Sequence, residues 1–282
     1  MSVAWPTRLD EAVDAAAATP GATLLAGGTD LAVEVNAGRR RPVAVVALRR
    51  VGELGEVQIT PAEVVLGAGM TFSAIAAELA AAVPALAAAA RTVGSPQIRN
   101  AGTVGGNIAT ASPAGDTLPV LAALDASVEL SSTAGTRTVP LRELITGVKC
   151  TAIRPGEVLV RVRVPPARGA QQFLKVGTRN AMVIALASAA LVVDEERRTV
   201  ACGLGSVGPV PVRPVEAEAF IAGEIDWGRL TVPEAAVARF AELVAGAARP
   251  ITDHRATAEY RRHAVAVLAG RALRRSIDVI SA

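Results

Sequence analysis

The chain has 282 residues, of which 51% are hydrophobic and 20% charged, so a sizeable core is possible and wholesale disorder is excluded. This length predicts about two domains. Aromatic residues make up only 2%, and 29 basic against 26 acidic residues leave a net charge of +3. Because single-stranded nucleic acid needs aromatic platforms and a basic patch, no nucleic-acid partner is expected.

The cysteine content and the hydropathy pattern indicate a compartment. Cys150 and Cys202 are the only cysteines, too few for a disulfide framework, an iron–sulfur ligand set or a zinc site. Ordinary reduced thiols favour a cytoplasmic protein. The first residues carry acids where a secretory signal needs an apolar core, and no run of 18 apolar residues is free of charges and turn formers. We expect no membrane span and no metal held by this chain.

The first fifty-odd residues alternate between helical and strand patterns. Acids open the first helical stretch, which favours a helix N-terminus, and Pro20-Gly21 ends it. A later apolar run is continuous, which is typical of a buried parallel strand. The predicted elements are a helix over 7–19, a strand over 22–26, one or two helical turns over 31–37 and a strand over 43–48.

The next part of the chain surrounds a segment rich in turn formers. Residues 93–119 hold five glycines and three prolines and predict a long loop, which inside a domain is usually functional. Around it we predict strands over 52–60 and 63–67, a helix capped by Thr71 and ending near Pro84, a second helix to Arg91, a helix over 120–126, a hairpin of 128–131 and 137–139, and a strand over 157–164.

The composition changes after Pro165-Pro166, which places a domain boundary between Pro165 and Gln171. Alternating elements before it, and strands followed by helices after it, predict an α+β protein of two domains. The predicted later elements are strands over 171–176, 184–193 and 199–206, and helices over 215–221, 233–248 and 257–280.

Two glycine-rich motifs are the main candidates for a binding site. Glycine pairs let backbone N–H groups approach an anion, and successive N–H groups form concave anion sites. For either motif alone a plain tight turn is the better interpretation. Two of them, one in a loop too long for a mere connection, favour a dinucleotide pyrophosphate held between them. The motifs are Leu24-Leu25-Ala26-Gly27-Gly28-Thr29-Asp30-Leu31 and Thr103-Val104-Gly105-Gly106-Asn107-Ile108.

Other chemistries are poorly supported. Residues 203–208 match G-x-G-x-x-G, but three prolines follow within the next six residues, so no helix begins promptly and a Rossmann site is excluded. The only histidines, His254 and His263, lie in the C-terminal helical region, and no catalytic residue can be named. The arginines of the last helix fit a solvated face or a partner surface, and their spacing does not separate the two.

Four segments resemble one family. Residues 94–109, followed by Pro113-Ala114-Gly115-Asp116, resemble the most specific motif of the FAD-binding medium subunit of molybdenum hydroxylases, the carbon monoxide dehydrogenase and xanthine dehydrogenase group. Residues 24–31 resemble the first FAD loop of that family, and residues 205–216 and 253–262 resemble patterns of its C-terminal flavoprotein domain. The likeness runs nearly from end to end.

The resemblance implies a fold. Residues 1–168 would form the vanillyl-alcohol-oxidase-like (PCMH-type) FAD-binding fold, as two α/β subdomains of about 1–55 and 56–168 with FAD in the cleft between them. Residues 169–282 would form a domain like the C-terminal domain of the carbon monoxide dehydrogenase flavoprotein, with a three-stranded antiparallel sheet and a helical bundle.

The resemblance also implies FAD-binding residues. Two pyrophosphate loops, an apolar contact, an acid and two contacts near the flavin end carry over by position. They are, in that order, Leu24, Leu25, Ala26, Gly27, Gly28, Thr29, Asp30 and Leu31 with Thr103, Val104, Gly105, Gly106 and Asn107; then Val93; Asp116; and Leu159 with Lys175. One departure concerns Val183, where relatives often carry an Asp or Tyr near the ring system. Valine can neither hydrogen-bond nor stack as those side chains do. The cysteine-bearing loop of some relatives is missing.

The implied function is electron transfer. A large partner chain would carry the molybdenum cofactor, a small one two [2Fe–2S] clusters, and FAD in this chain would pass electrons to NAD or another acceptor, in a dimer of heterotrimers. One alternative is a stand-alone FAD-dependent oxidoreductase acting on a small molecule without molybdenum partners, to which Val183 gives weight. Another is a scaffold that has lost FAD, against which the intact glycine pairs argue. The sequence does not indicate the substrate.

Overall fold

In the part of the chain that the structure describes, three apolar clusters form around the three larger sheets, which helices cover, and a fourth sheet has only two short strands. The computed structural model describes residues 2–165 and 169–281. Within these ranges no helix combines the length and the apolar character needed to cross a membrane.

A small parallel sheet begins the chain. Its middle strand is buried at every position, as its apolar run predicts, while the first strand is exposed at every position. That first strand is absent from the sequence prediction because three exposed residues give no hydrophobic pattern. The elements are β1 (Ser2–Ala4), α1 (Leu9–Ala18), β2 (Thr23–Leu25), α2 (Leu31–Asn36) and β3 (Ala44–Ala47), in the sheet order β1-β3-β2.

The second unit is a five-stranded antiparallel sheet, and five helices lie between the second and third of its strands in chain order. Its order is β4-β5-β10-β6-β7, so the last strand of the unit lies in the centre of the sheet. The elements are β4 (Val57–Ile59), β5 (Val64–Gly67), α3 (Phe72–Glu78), α4 (Pro84–Thr92), α5 (Pro96–Ala101), α6 (Val104–Thr110), α7 (Thr117–Ala123), β6 (Ser127–Ser132), β7 (Gly135–Pro140), α8 (Leu141–Leu144), β8 (Ile145–Gly147), β9 (Cys150–Thr151) and β10 (Val158–Val164).

Two predictions for this unit are wrong. Residues 93–119 are not one long loop, because Ser95 and Thr103 accept backbone N–H groups as N-caps and start α5 and α6. Residues 52–60 are not one strand. A 3₁₀ turn over Gly52–Gly55 buries the side chain of Leu54 and turns its carbonyl toward the N–H of Gly69, and only Val57–Ile59 is extended.

The C-terminal unit is the predicted three-stranded antiparallel sheet with helices. Its two faces contact different partners: Phe173 and Ala190 join the core of the second unit, while Ala189 and Leu191 pack with the C-terminal helices. The elements are β11 (Ala170–Val176), β12 (Ala187–Asp194), β13 (Thr199–Gly205), α9 (Val215–Glu224), α10 (Glu234–Ala247) and α11 (Ala258–Ser281).

The α+β fold is confirmed, with differences at the element ends. The strand predicted from residue 184 begins at Ala187, because residues 177–186 form a connection that we call the strap. The predicted domain boundary falls partly on residues 166–168, which lie outside the described residues.

We expect Gly203→Ala to destabilise the fold. A Cβ at this buried strand position would overlap the backbone carbonyl of Pro119, at the contact between β13 and α7. Because backbone atoms do not yield as side chains do, the cost should reach at least about 2 kcal/mol. Urea denaturation measures it. Gly223→Ala is the control, since its Cβ would meet nothing within 4 Å in the exposed end of α9 and should stabilise slightly. Equal midpoints for Gly203→Ala and wild type would contradict the close packing of Gly203 against Pro119.

Candidate functional site

Two adjoining cavities, of about 690 and 400 Å³, lie between the first two units, and the C-terminal unit also contributes to the first of them. The first is lined by the loop after β2, by α5, α6 and the segment 112–116, and by the strap of the C-terminal unit. The second extends between the 3₁₀ turns, β10 and α6, and its lining is mostly apolar. The residues they share are Leu24, Ala26, Gly27, Thr103, Gly106 and Ala109.

The loop after β2 presents free backbone donors. Among the described residues, no acceptor bonds the amide N–H of Gly27, Gly28, Thr29 or Asp30. Gly28 has φ +72°, a left-handed conformation that glycine adopts without strain. All four residues line the first cavity. The loop is therefore a set of donors suited to an anion.

The two glycine-rich segments touch at Gly27. A Cβ at this residue would overlap the carbonyl oxygen of Ala101, at the end of α5, so only glycine allows this approach. The contact brings the loop after β2 beside the N-terminus of α6. The first and second units are thus joined at the wall common to both cavities.

The second motif does not offer the expected free amides. The N–H groups of Val104 and Gly105 donate to the carbonyls of Met70 and Ala68 at 3.0 and 2.8 Å. Those of Gly106 and Asn107 are satisfied by Thr103, through its hydroxyl and its carbonyl. These bonds start a helix, so the expectation of a second backbone cradle is wrong.

This second motif instead offers the Asn107 side chain and the space left by a glycine. Asn107 lines the first cavity, where its Oδ1 accepts from the Thr117 hydroxyl at 2.6 Å and its Nδ2 bonds no described residue. Gly106 lines both cavities, and a Cβ there would meet only the Thr103 hydroxyl, at 3.0 Å. Gly105 differs, because its Cβ would lie 2.6 Å from that of Ala68. The lack of a side chain at Gly106 therefore leaves space in the cavities, whereas at Gly105 it allows close packing against Ala68.

A buried ion pair lies at the border of the first cavity. Lys175 of β11 donates to Oδ2 of Asp116 at 2.6 Å, and the Thr92 hydroxyl donates to the same oxygen at 3.3 Å. Both charged side chains are more than nine-tenths buried. Burial raises the pKa of Asp116 above its ordinary value, although Lys175 and Thr92 oppose the shift. The other oxygen, Oδ1, is buried without a hydrogen-bond partner, so the site holds an acceptor that lacks a donor.

The strap contributes apolar side chains to the first cavity. Met182, Val183 and Ile184 line it, and Val183 rests on Gly177, where any Cβ would overlap it. The Arg179 guanidinium donates to the carbonyls of Ala181 and Met182, so its charge is directed onto the strap itself. The apolar character expected at Val183 therefore extends to both neighbours.

The structure separates some predicted site residues. Val93 and Asp116 line the first cavity and Leu159 the second, so Leu159 and Lys175 do not lie together at one end. Lys175 reaches the site only through Asp116. Val104 is fully buried and lines neither cavity.

A charged cluster that no sequence motif indicates lines the first cavity as well. Glu34 accepts from Lys149 at 3.0 Å and lies 3.7 Å from Arg40, and Lys149 is the main cause of its lowered pKa. The cluster carries a net positive charge, which favours an anionic ligand nearby. Glu34 and Lys149 are 115 residues apart in sequence, so no local pattern could have joined them.

The arrangement fits a dinucleotide. It combines two adjoining cavities, free backbone donors along the first of them, nearby cations, and a buried carboxylate oxygen that lacks a donor. Pockets of this size with few placed polar groups are typical of cofactor sites. These features of the described residues fit FAD.

Comparison with known families agrees with this geometry. A family model described as the FAD binding domain in molybdopterin dehydrogenase matches residues 1–167. A second, described as the CO dehydrogenase flavoprotein C-terminal domain, matches residues 172–276.

Individual proteins are similar over most of the chain. The glyceraldehyde dehydrogenase medium chain of Sulfolobus acidocaldarius is 32% identical over 89% of each chain. The carbon monoxide dehydrogenase medium chain of Afipia carboxidovorans is 31% identical over 89% of this chain and 88% of its own length. Among solved structures, quinoline 2-oxidoreductase from Pseudomonas putida 86 matches with a TM-score of 0.91 and 26% identity, covering 100% of this chain and 98% of that one.

We expect Gly106→Val to lose the cofactor while keeping the fold. The side chain would project into the wall that both cavities share, and flavin content should fall at least about tenfold. Flavin absorbance per chain measures the content, and circular dichroism checks the fold. Gly223→Val is the matched control, and Gly105→Ala should instead impair folding through Ala68. Normal flavin content in Gly106→Val would show that the shared wall is not part of the FAD site.

Proposed function

Because the chain belongs to the family of FAD-binding subunits of molybdopterin dehydrogenases, we propose that it is the electron-transfer flavoprotein subunit of a three-chain molybdenum hydroxylase. In this proposal a large chain holds the molybdenum cofactor and oxidises the substrate. A small chain holds two [2Fe–2S] clusters and passes electrons to this chain, which delivers them to NAD or another acceptor. Two such trimers form the complete enzyme.

The observation that carries the proposal is the pairing of free amide donors with an unpaired acceptor around the first cavity. The amides of residues 27–30 suit a pyrophosphate, and Asp116 Oδ1 suits a donor on the ring system. Each is unfavourable when left unsatisfied, and Oδ1 more so because it is buried. A flavin dinucleotide has both complementary groups in one molecule.

Each group of the site has a distinct task. The loop after β2 holds the phosphates, with Asn107 Nδ2 as a side-chain donor. Lys175 keeps Asp116 in place, and the strap covers the cavity with apolar side chains that exclude water. Bound FAD supplies the redox chemistry, by taking up electrons and releasing them to an acceptor.

The division of labour between chains rests on the cysteines. A [2Fe–2S] cluster needs four ligands, either thiolates alone or two thiolates with two histidines. Cys150 is exposed and Cys202 is buried, and among the described residues no three His, Cys, Asp or Glu side chains are grouped as metal ligands. The two clusters of the proposed complex therefore belong to another chain.

Native mass spectrometry of the protein purified gently from its own cells tests the proposal. We expect one FAD per chain and two co-purifying chains, one large and one small. The medium chain alone with FAD would overturn the subunit assignment and favour the stand-alone oxidoreductase. A complex without FAD, which also failed to take up added FAD, would overturn the cofactor assignment.

We expect acid to release FAD before it unfolds the protein. The raised pKa of Asp116 means that it takes up its proton at a higher pH than exposed aspartates, which titrate near 3.9. Protonation removes the charge that pairs with Lys175 and turns an acceptor into a donor, so FAD should dissociate faster. Because the folded state binds this proton more readily than the unfolded state, Asp116 raises the free energy of unfolding as the pH falls through its pKa in the folded state.

Flavin fluorescence and thermal unfolding, both followed against pH, measure the two effects. In Asp116→Asn, the rate of FAD release should not show this rise as the pH falls. An identical pH profile in that variant would assign the release to another group.

A further inference from the structure

The strap over the first cavity depends on a side chain that lies outside the cavity. Its ends meet where the N–H of Leu186 donates to the carbonyl of Val176 at 2.8 Å. Beyond this neck the strap is exposed, with Met182 56% and Ile184 50% accessible. Such a segment needs an anchor if it is to hold its position.

Arg261 of α11 provides the anchor. Its side chain is 6% exposed, and one of its nitrogens, Nη1, donates to the carbonyl of Leu186 at 2.8 Å and to that of Ser206 at 3.3 Å. The other, Nη2, donates to Asp253 Oδ1 at 2.8 Å. The pKa of Asp253 is well below its ordinary value, first because the N–H of Arg255 donates to it and then because Arg261 does.

The same guanidinium is linked through Ser206 to a second segment of the cavity lining. The N–H of Ser206 donates to the carbonyl of Pro113 at 2.9 Å, within the segment 112–116 that lines the cavity. Ser206 itself has φ +63°, an uncommon conformation for a side-chain-bearing residue. Its carbonyl is thereby presented to Arg261, so one side chain fixes two walls.

We propose that Arg261 is a positioning residue that holds the strap and the segment 112–116 around the FAD ring system. The proposal rests on the proposed function for the identity of the ligand, but the anchoring itself does not. Arginine suits the task because its planar group serves several acceptors at once, which a lysine ammonium does with poorer geometry. The sequence motif around residues 253–262 thereby gains a role.

Trypsin provides a direct test, because the strap contains Arg179. The rate of cleavage after Arg179 reports local opening of the strap, while cleavage after Arg229, whose side chain is 84% exposed, is the reference within the same domain. In Arg261→Met with Asp253→Asn, which removes both charges, we expect this ratio to rise about tenfold or more, since charge-assisted bonds are lost. Arg261→Lys should give an intermediate ratio.

Arg274→Gln is the matched control. Arg274 lies on the same helix and pairs with Glu234 at 2.6 Å, away from the strap, so its loss should leave the ratio unchanged. The second measurement is the rate at which FAD leaves the holoenzyme complex, followed by fluorescence. We expect it to rise in the double variant and not in the control.

The outcomes separate the two proposals. An unchanged cleavage ratio in the double variant would overturn the anchoring role, and a changed ratio with an unchanged FAD dissociation rate would overturn the link to the cofactor. A parallel rise in the cleavage rates after Arg179 and Arg229 would indicate general destabilisation and would also overturn the anchoring role. If the wild-type complex contains no FAD but the double variant still raises the cleavage ratio, the proposed function is overturned and the anchoring role of Arg261 is supported.

Discussion

The approach of Gly27 to the carbonyl of Ala101 is the contact on which the site depends. It brings a loop of the parallel sheet against the end of a helix in the second unit, with no room for a side chain. The free amides of the first loop then face the same space as Gly106 and Asn107. Without this contact the two glycine-rich segments would be separate turns, and the cavities would lose their common wall.

The C-terminal unit completes the site through charge and backbone rather than through apolar packing alone. Lys175 reaches from β11 to Asp116, and the N–H of Ser206 reaches the carbonyl of Pro113. Buried ion pairs are expensive because both charges leave water. A pair at the border of a cavity therefore indicates a role in the site, and the raised pKa of Asp116 reflects the same desolvation.

The sequence predicted the order of most elements because periodicity and turn residues agree over those segments. The strands β10 and β12 alternate or run apolar, and each is found in the segment that its pattern indicated, although β12 begins only at Ala187. Prediction failed where short caps decide the structure: Ser95 and Thr103 begin helices of only six and seven residues inside a glycine-rich segment. The signal was present, because a capping residue is followed by proline at Pro96, but glycine content outweighed it.

Most of the site residues named from the sequence line the cavities, but the groups that they present to the cavities could not be named from it. The resemblance, now confirmed by the family models, indicated both loops, but only the structure shows that one offers amides and the other side chains. Asp116 and Lys175 were named separately, yet their ion pair joins positions 59 residues apart, which no local pattern contains. Contacts of that range, like those of Arg261, follow from the packing of whole units.

The unpaired oxygen of Asp116 has a consequence for folding. A buried acceptor without a donor destabilises the folded state, by about 1–3 kcal/mol or more for a charged group. A ligand that supplies the donor removes this cost, and any ligand that binds only the folded chain shifts the equilibrium toward it. Because Asp116 is also tied to β11 through Lys175, the gain extends to the C-terminal unit. A ligand that supplies this donor in the first cavity would therefore also strengthen the contact between the second unit and the C-terminal unit.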